Sequence, residues 1–216
     1  MPTIHFQDPL DYPDLAAAIA AGWVQTGTVA PSMITGRTGN ALRLPGAAAG
    51  APTMTRALGV GTLVGPKQIS FWHRRGSTGA ATVCRVHTAA GAQVSLQSNA
   101  GFYAVVRGDG GASLGAIQGG DANYLGGQTG VWWHVRWVFE AADAGMNEVH
   151  VDGVLRYAGT GGDHQQQGSP GFDRVRLAAF TPFLGSAGYQ HDFDDQIVSQ
   201  PGVLDQRRRR RSVTLG

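Results

Sequence analysis

The chain holds only two glutamates, Glu140 and Glu148. Cleaving a glycosidic bond by hydrolysis needs two carboxylates facing one bond, roughly 5 Å apart in a retaining enzyme. One of them must sit in an enclosed site that keeps it protonated. Glu140 and Glu148 lie at the two ends of a hairpin loop and read as solvated charges. The aspartates offer different chemistry. A calcium ion asks for about six to eight oxygen ligands. Asp109 and Asp121, with Asn123, fall in one polar loop, and Asp192 and Asp194, with Asp195, fall near the end of the chain. These four aspartates are the candidate calcium ligands, although no EF-hand spacing occurs. The seven histidines are scattered, with no H-E-x-x-H and no Cys/His cluster, so a zinc site is not expected. Cys84, in ATVCRV, reads as a small buried hydrophobe. No G-x-S-x-G, P-loop or dinucleotide fingerprint occurs.

Aromatic side chains are the other candidates. VWWHVRWVFE, residues 131–140, places Trp132, Trp133 and Trp137 beside a histidine and an arginine. Strand side chains alternate faces. One face then carries Val131, Trp133, Val135, Trp137 and Phe139 and belongs to a core. The other carries Trp132, His134, Arg136, Val138 and Glu140, as expected of the outside of a sandwich. Trp132, Arg136 and Trp72, the last in ISFWHRR, are the candidate glycan-contacting residues. Competing with that role is ordinary surface packing of an indole against an arginine.

The elements that position these residues are nearly all strands. Short β-like runs are separated by Gly, Pro and Asp clusters. They include Asn40–Leu44, Pro52–Leu58, Gln68–Arg75, Ala81–His87, Gln93–Gln97, Phe102–Arg107, Val131–Phe139, Glu148–Val151, Val154–Tyr157, Val175–Phe180 and Tyr189–Val198. Thr3–Phe6 is a further short strand. DLAAAIAA, from Asp14, predicts a two-turn helix that Asp14 caps and Gly22 ends. EVHVDGVLRY predicts a two-residue hairpin turn at Asp152-Gly153. Gly108–Gly127 and Gly159–Gly171 read as long polar loops.

Composition bounds the class. The 216 residues, 42% apolar and 15% charged, can bury a sizeable core in one domain. The single cysteine forbids an intramolecular disulfide. No N-terminal signal peptide and no 18-residue apolar span is visible, so neither a membrane nor a Sec route is expected. The formal charge of +2 hides a run of five arginines, Arg207, Arg208, Arg209, Arg210 and Arg211. Without it twelve basic residues face fifteen acidic ones. The division expected is a domain over 1–200 and a basic arm over 201–216. Phosphates attract such runs, but the mildly acidic body favours docking onto protein over nucleic acid.

Four stretches resemble the concanavalin A-like lectin/glucanase jelly roll, of laminin-G-like type. GRTGNALRLPG resembles its early "G-x-x-G-x-A-L" stretch, and ISFWHR its "apolar-S-x-W" strand. WWHVRWVFE followed by VHVDGV resembles its "W-x-H-V" strand and "V-D-G" hairpin, and FDDQIVS its closing strand. The order holds from Gly36 to Ser199. The resemblance implies an all-β, two-sheet antiparallel sandwich with one short N-terminal helix and an extended C-terminal arm. It implies that the first and last strands lie side by side. Hydrolytic relatives carry Glu-x-Asp-x-(x)-Glu on one strand, and this chain does not.

The function expected is a non-enzymatic structural or adhesion subunit of a larger assembly, most simply a bacteriophage virion protein of the head decoration, fibre or tail. Its expected partners are other subunits of the particle, as a homo-oligomer, and surface glycans. The alternatives are a free carbohydrate-binding lectin, calcium-dependent and located in the bacterial cytoplasm or released without a signal peptide, and a glycoside hydrolase relative. No cofactor other than calcium is implied.

Overall fold

A computed structural model describes residues 3–46, 51–76, 81–99, 102–108, 113–116, 129–165, 170–180 and 190–202. In chain order the strands are β1 (Ile4–Asp8), β2 (Trp23–Thr26), β3 (Ser32–Thr35), β4 (Asn40–Pro45), β5 (Thr53–Ala57), β6 (Lys67–Arg75), β7 (Ala81–Thr88) and β8 (Gly91–Asn99). There follow β9 (Phe102–Arg107), β10 (Ser113–Ala116), β11 (Trp132–Phe139), β12 (Gly145–Val151), β13 (Val154–Gly162), β14 (Arg174–Phe180) and β15 (Gln190–Ser199). Among the described residues α1 (Leu15–Ala20) is the one helix, and it is too short to cross a membrane.

The strands build two antiparallel sheets. Sheet A runs β13-β12-β11-β6-β15-β4-β3, with β1 also on β15. Sheet B runs β10-β9-β8-β7-β14-β5-β2. Together they form a concanavalin A-like jelly-roll sandwich. First and last strands pair as the resemblance implied, Phe6 opposite Val198.

Alternation decides what lies between the sheets. Sheet A sends in Ile69, Phe71, Val135, Trp137, Phe139, Val149 and Phe193, all at most 1% exposed. Sheet B answers with Met54, Cys84, Leu96, Val105, Val175 and Leu177, each fully buried. Trp137 and Phe139 stack at 4.2 Å, and Trp133 packs partly buried against the same core. Each such ring contributes about 2–3 kcal/mol. Burial also raises the Cys84 thiol pKa.

Local signals match the backbone. The Asp14 carboxylate accepts from the Ala17 N–H at 2.8 Å and caps α1. Asp152 and Gly153 take φ of 50° and 84°, the left-handed pair that such a hairpin turn requires. At the other end of the core, Asp8 accepts from Leu10 N–H, Tyr12 O–H and Trp23 Nε1–H, tying β1 to the segment carrying α1 and β2.

The structure corrects two loops. Residues 113–116, expected within one long loop, form β10, and the first residues of the loop expected from Gly159 extend β13. The sequence reading also passed over β2 and β3. Each of β2, β3 and β10 has only four residues and stands at a sheet edge, where pairing with a distant neighbour, not local pattern, creates the strand.

Candidate functional site

Trp72, Trp132 and Arg136 do share one surface, the outward face of sheet A. Trp132 lies opposite Arg74, His134 opposite Trp72, and Arg136 opposite Ser70. The groups that would receive a ligand are engaged within the chain. The Arg37 guanidinium sits 3.3 Å from the Trp72 ring centroid, and the His134 ring is 5.0 Å from Trp72. Arg74 lies 4.7 Å over Trp132. Arg136 Nη2 reaches His150 at 2.7 Å, and His150 meets Glu148 at 3.0 Å. A sugar stacking on the Arg37 side of Trp72 has to displace a cation–π contact.

The two described calcium candidates also lie here. Asp192 is fully buried and held between two guanidiniums, Arg43 Nε on Oδ1 and Arg74 Nε on Oδ2, each at 2.8 Å. Asp194 accepts from the Arg37 backbone N–H at 3.0 Å, and burial pushes its pKa up to about 6 against that bond. A carboxylate already neutralised by two arginines does not fit a divalent cation. Among the described residues no three His, Cys, Asp or Glu side chains are grouped to hold a metal. Asp109, Asp121 and Arg207 to Arg211 lie outside the described residues.

The outward face of sheet B is of a different kind. Since Val175, Leu177, Cys84, Val86, Val94 and Leu96 point into the core, alternation sends Arg174, Arg176, Arg85, His87, Gln93, Ser95 and Gln97 outward. Pairing sets them in rows. Thr55, Arg176, Arg85, Ser95 and Val106 run across five adjacent strands. Ala57, Arg174 and His87 form the next row, and Thr82, Gln97 and Ala104 flank the other side. At about 4.8 Å between strands and 3.3 Å per residue, the patch is roughly 19 Å across the strands and about 15 Å along them.

Side chains outside a sheet are ordinarily half exposed, yet Arg85, His87, Gln93, Ser95 and Gln97 are all under a tenth exposed. Arg176 Nε donates to the neutral Thr55 hydroxyl at 3.0 Å and Arg85 Nη2 to the neutral Thr82 hydroxyl at 3.2 Å. Gln93 Nε2 donates to the Gly171 carbonyl at 3.2 Å. Arg174 turns to Asp173 at 2.8 Å. His87 is 3% exposed; its backbone carbonyl accepts from Asp173 N–H at 2.9 Å, and its ring Nε2 is buried with no partner among the described residues. Burial holds its pKa down at about 3, helped by Arg176, Arg85 and Arg174. This side of sheet B is therefore a packed layer of amide, hydroxyl and guanidinium groups already bonded within the chain, Ser95 Oγ to the Gly108 carbonyl among them. Sequence reasoning missed it. ATVCRVHT and AQVSLQS each show the alternation, but neither tells which parity looks outward.

A second buried polar group lies between the sheets. His73 Nδ1 meets the Tyr103 hydroxyl at 2.6 Å and its Nε2 meets His191 Nδ1 at 2.8 Å, the two imidazoles stacked at 5.1 Å. Burial keeps both histidines neutral, the His191 pKa at about 3 and that of His73 well below its ordinary value.

No family model matches the chain, and no curated protein does. Solved structures share its fold. The conserved carbohydrate esterase of the Shiga toxin-encoding bacteriophage phi24B superposes with a TM-score of 0.60 at 14% identity, over 93% of this chain and 99% of that one. The endo-β-1,4-glucuronan lyase of the fungus Trichoderma reesei gives 0.61 at 12%, over 92% and 96%. The ganglioside-interacting botulinum neurotoxin type C structure gives 0.57 at 11%, over 82% of this chain but only 42% of the other. The chain thus spans about two fifths of that toxin structure.

These likenesses correct one expectation. The chain was expected not to be an enzyme, yet two of the structures it matches over nearly their whole length are enzymes, an esterase and a lyase. The missing paired-carboxylate motif bears only on glycoside hydrolysis, and neither enzyme is named for that reaction.

Proposed function

We propose that this chain is a glycan-engaging subunit of a bacteriophage particle, with the outward face of sheet B as its sugar-contacting surface. The observation that carries the reading is the set of hydrogen-bonding side chains, Arg85, His87, Gln93, Ser95, Gln97 and Arg176, packed together on the outside of a sheet. In ligand sites a small number of precisely placed polar groups fix orientation and supply specificity. The phage carbohydrate esterase and the ganglioside-interacting toxin, which share the fold, support both halves of the reading. In the particle, the domain over 1–200 presents this face and the arm over 201–216 docks through Arg207 to Arg211 onto neighbouring copies.

Calorimetric titration of the chain with a panel of oligosaccharides tests the site. Gln97→Ala and Arg176→Ala weaken binding at least tenfold, and Trp132→Ala leaves it unchanged. The reverse pattern moves the site to sheet A. Changing all five arginines of the arm to serine lowers the oligomeric state in light scattering. An unchanged mass removes the arm from the account.

A further inference from the structure

A sheet edge with unpaired backbone groups invites pairing with another chain, and proteins ordinarily blunt such edges. Most edges of this sandwich are blunted by brevity, with four residues in β2, β3 and β10 and five in β1. The exception is β13, nine residues long, VLRYAGTGG, of which Arg156 alone is charged. Among the described residues it pairs with β12 and with no strand beyond. Val154 and Leu155 are 49% and 51% exposed there, and Ala158 and Thr160 are exposed as well. Gly161, at a φ of 77°, interrupts the strand line, so the open run is 154–160. Just past this run the charge is acidic. His164 N–H donates to the Ala142 carbonyl at 2.9 Å, which sets Asp163 beside the loop of Glu140 and Asp143. Asp163 meets Arg107 at 2.9 Å, whereas Glu140 and Asp143 form no ion pair with the described residues. The Lys67 ammonium, which feels Glu140, is held by the Val64 and Pro66 carbonyls.

We propose that residues 212–216 of one copy, SVTLG, add as a strand to the open edge of β13 on a neighbouring copy, antiparallel to it. The inference rests on the reading of the arm as docking onto neighbouring copies. The arm departs from Ser199, which is flanked by Gln68 of β6 and Ile4 of β1, so it finds no open edge at its own exit. Twelve residues, 200–211, precede Ser212. Extended, they reach roughly 40 Å. From β15 across four strand spacings to β13 is roughly 19 Å. The arm is therefore long enough to clear its own sheet and enter another. Ser-Val-Thr-Leu alternates polar and apolar side chains and holds no charge and no proline, as an added strand requires. Charge sets the direction. An antiparallel strand enters at the Thr160 end of β13, which brings Arg207 to Arg211 beside Glu140, Asp143 and Asp163 and carries Leu215 toward Val154 and Leu155. A parallel strand forfeits the acidic loop.

Cysteine trapping on the full chain tests this, since the native Cys84 is buried and does not compete. Chains carrying Thr214→Cys are mixed with differently tagged chains carrying Ala158→Cys and oxidised. The expected product is a disulfide joining the two tags, formed about tenfold faster than with Ser32→Cys, on the exposed edge of β3, as acceptor. Light scattering gives a second readout. Val213→Pro keeps all five arginines but removes a backbone donor, and Leu155→Lys places a charge on the acceptor edge. Each raises the dissociation constant of the assembly about tenfold, with circular dichroism unchanged. An assembly that loses mass when the five arginines become serine, yet ignores Val213→Pro and Leu155→Lys and shows no trapping at Ala158, overturns the β13 acceptor and leaves the arm reading standing. A disulfide that closes only within one chain of the Thr214→Cys, Ala158→Cys double variant overturns the exchange between copies. A mass that is monomeric at every concentration, or indifferent to the arginines, overturns the reading of the arm itself and this inference with it.

Discussion

Lowering the pH from 7 to 5 destabilises this fold through histidines that it buries in neutral form. His191 and His87 are both held at about 3 in the folded chain, against an ordinary value of 6.5. A base with a depressed folded pKa binds more protons when unfolded, so its contribution to stability falls as pH drops below 6.5. Between 6.5 and 5 the loss is about 2 kcal/mol for each ring, at about 1.4 kcal/mol per pH unit. Asp194 acts in the opposite sense. Its pKa is raised to about 6 from 3.8, so stability gained by keeping its proton appears below 6 and returns about 1.4 kcal/mol at pH 5. The three groups together give a net loss of about 3 kcal/mol, and His73, also depressed, adds to it. Urea unfolding at pH 7 and pH 5, followed by tryptophan fluorescence, measures the difference. His87→Gln shrinks it by about 2 kcal/mol, since one of the linked protons is gone. A stability unchanged between the two pH values, in both chains, refutes the reasoning.

Other substitutions probe the frame. Asp192→Asn leaves Arg43 and Arg74 facing each other across a neutral amide and lowers unfolding free energy by about 3 kcal/mol in urea titration. Asp8→Ala orphans three donors and costs about 3 kcal/mol. In that variant the Tyr12 hydroxyl, held up to about 12 by burial and then by Asp8, titrates lower in ultraviolet absorbance. Cys84 stays unreactive toward a thiol-specific disulfide reagent in the native chain and reacts on unfolding, since its thiol is buried and its ionisation suppressed.

The frame was largely legible in the residue order because its signals are local. Period-two alternation in WWHVRWVF separated Trp137 and Phe139 from Trp132 and Arg136, and pairing with β6 kept that assignment. Asp14, Gly22 and the Asp152-Gly153 turn act within a few residues of themselves. The proposed face was not legible, because its members are brought together only by pairing. Arg85, Gln97 and Arg176 are neighbours since β7 lies between β8 and β14, and no pattern within β7 announces that. The surroundings of the tryptophans were hidden for a related reason. Trp72 is a conspicuous residue in sequence, but the guanidinium covering it belongs to Arg37, on a loop far away in the chain. Asp192 likewise looks like a ligand for a cation until Arg43 and Arg74 arrive from two other strands.

Amide and indole chemical-shift mapping by NMR, with an oligosaccharide bound in the calorimetric panel titrated into the labelled chain, tests the location of the site most directly. The account predicts shifts concentrated in the amides of β7, β8 and β14, with the indole signals of Trp72 and Trp132 unmoved. Saturable shifts of those two indoles, with β7 and β14 silent, contradict it.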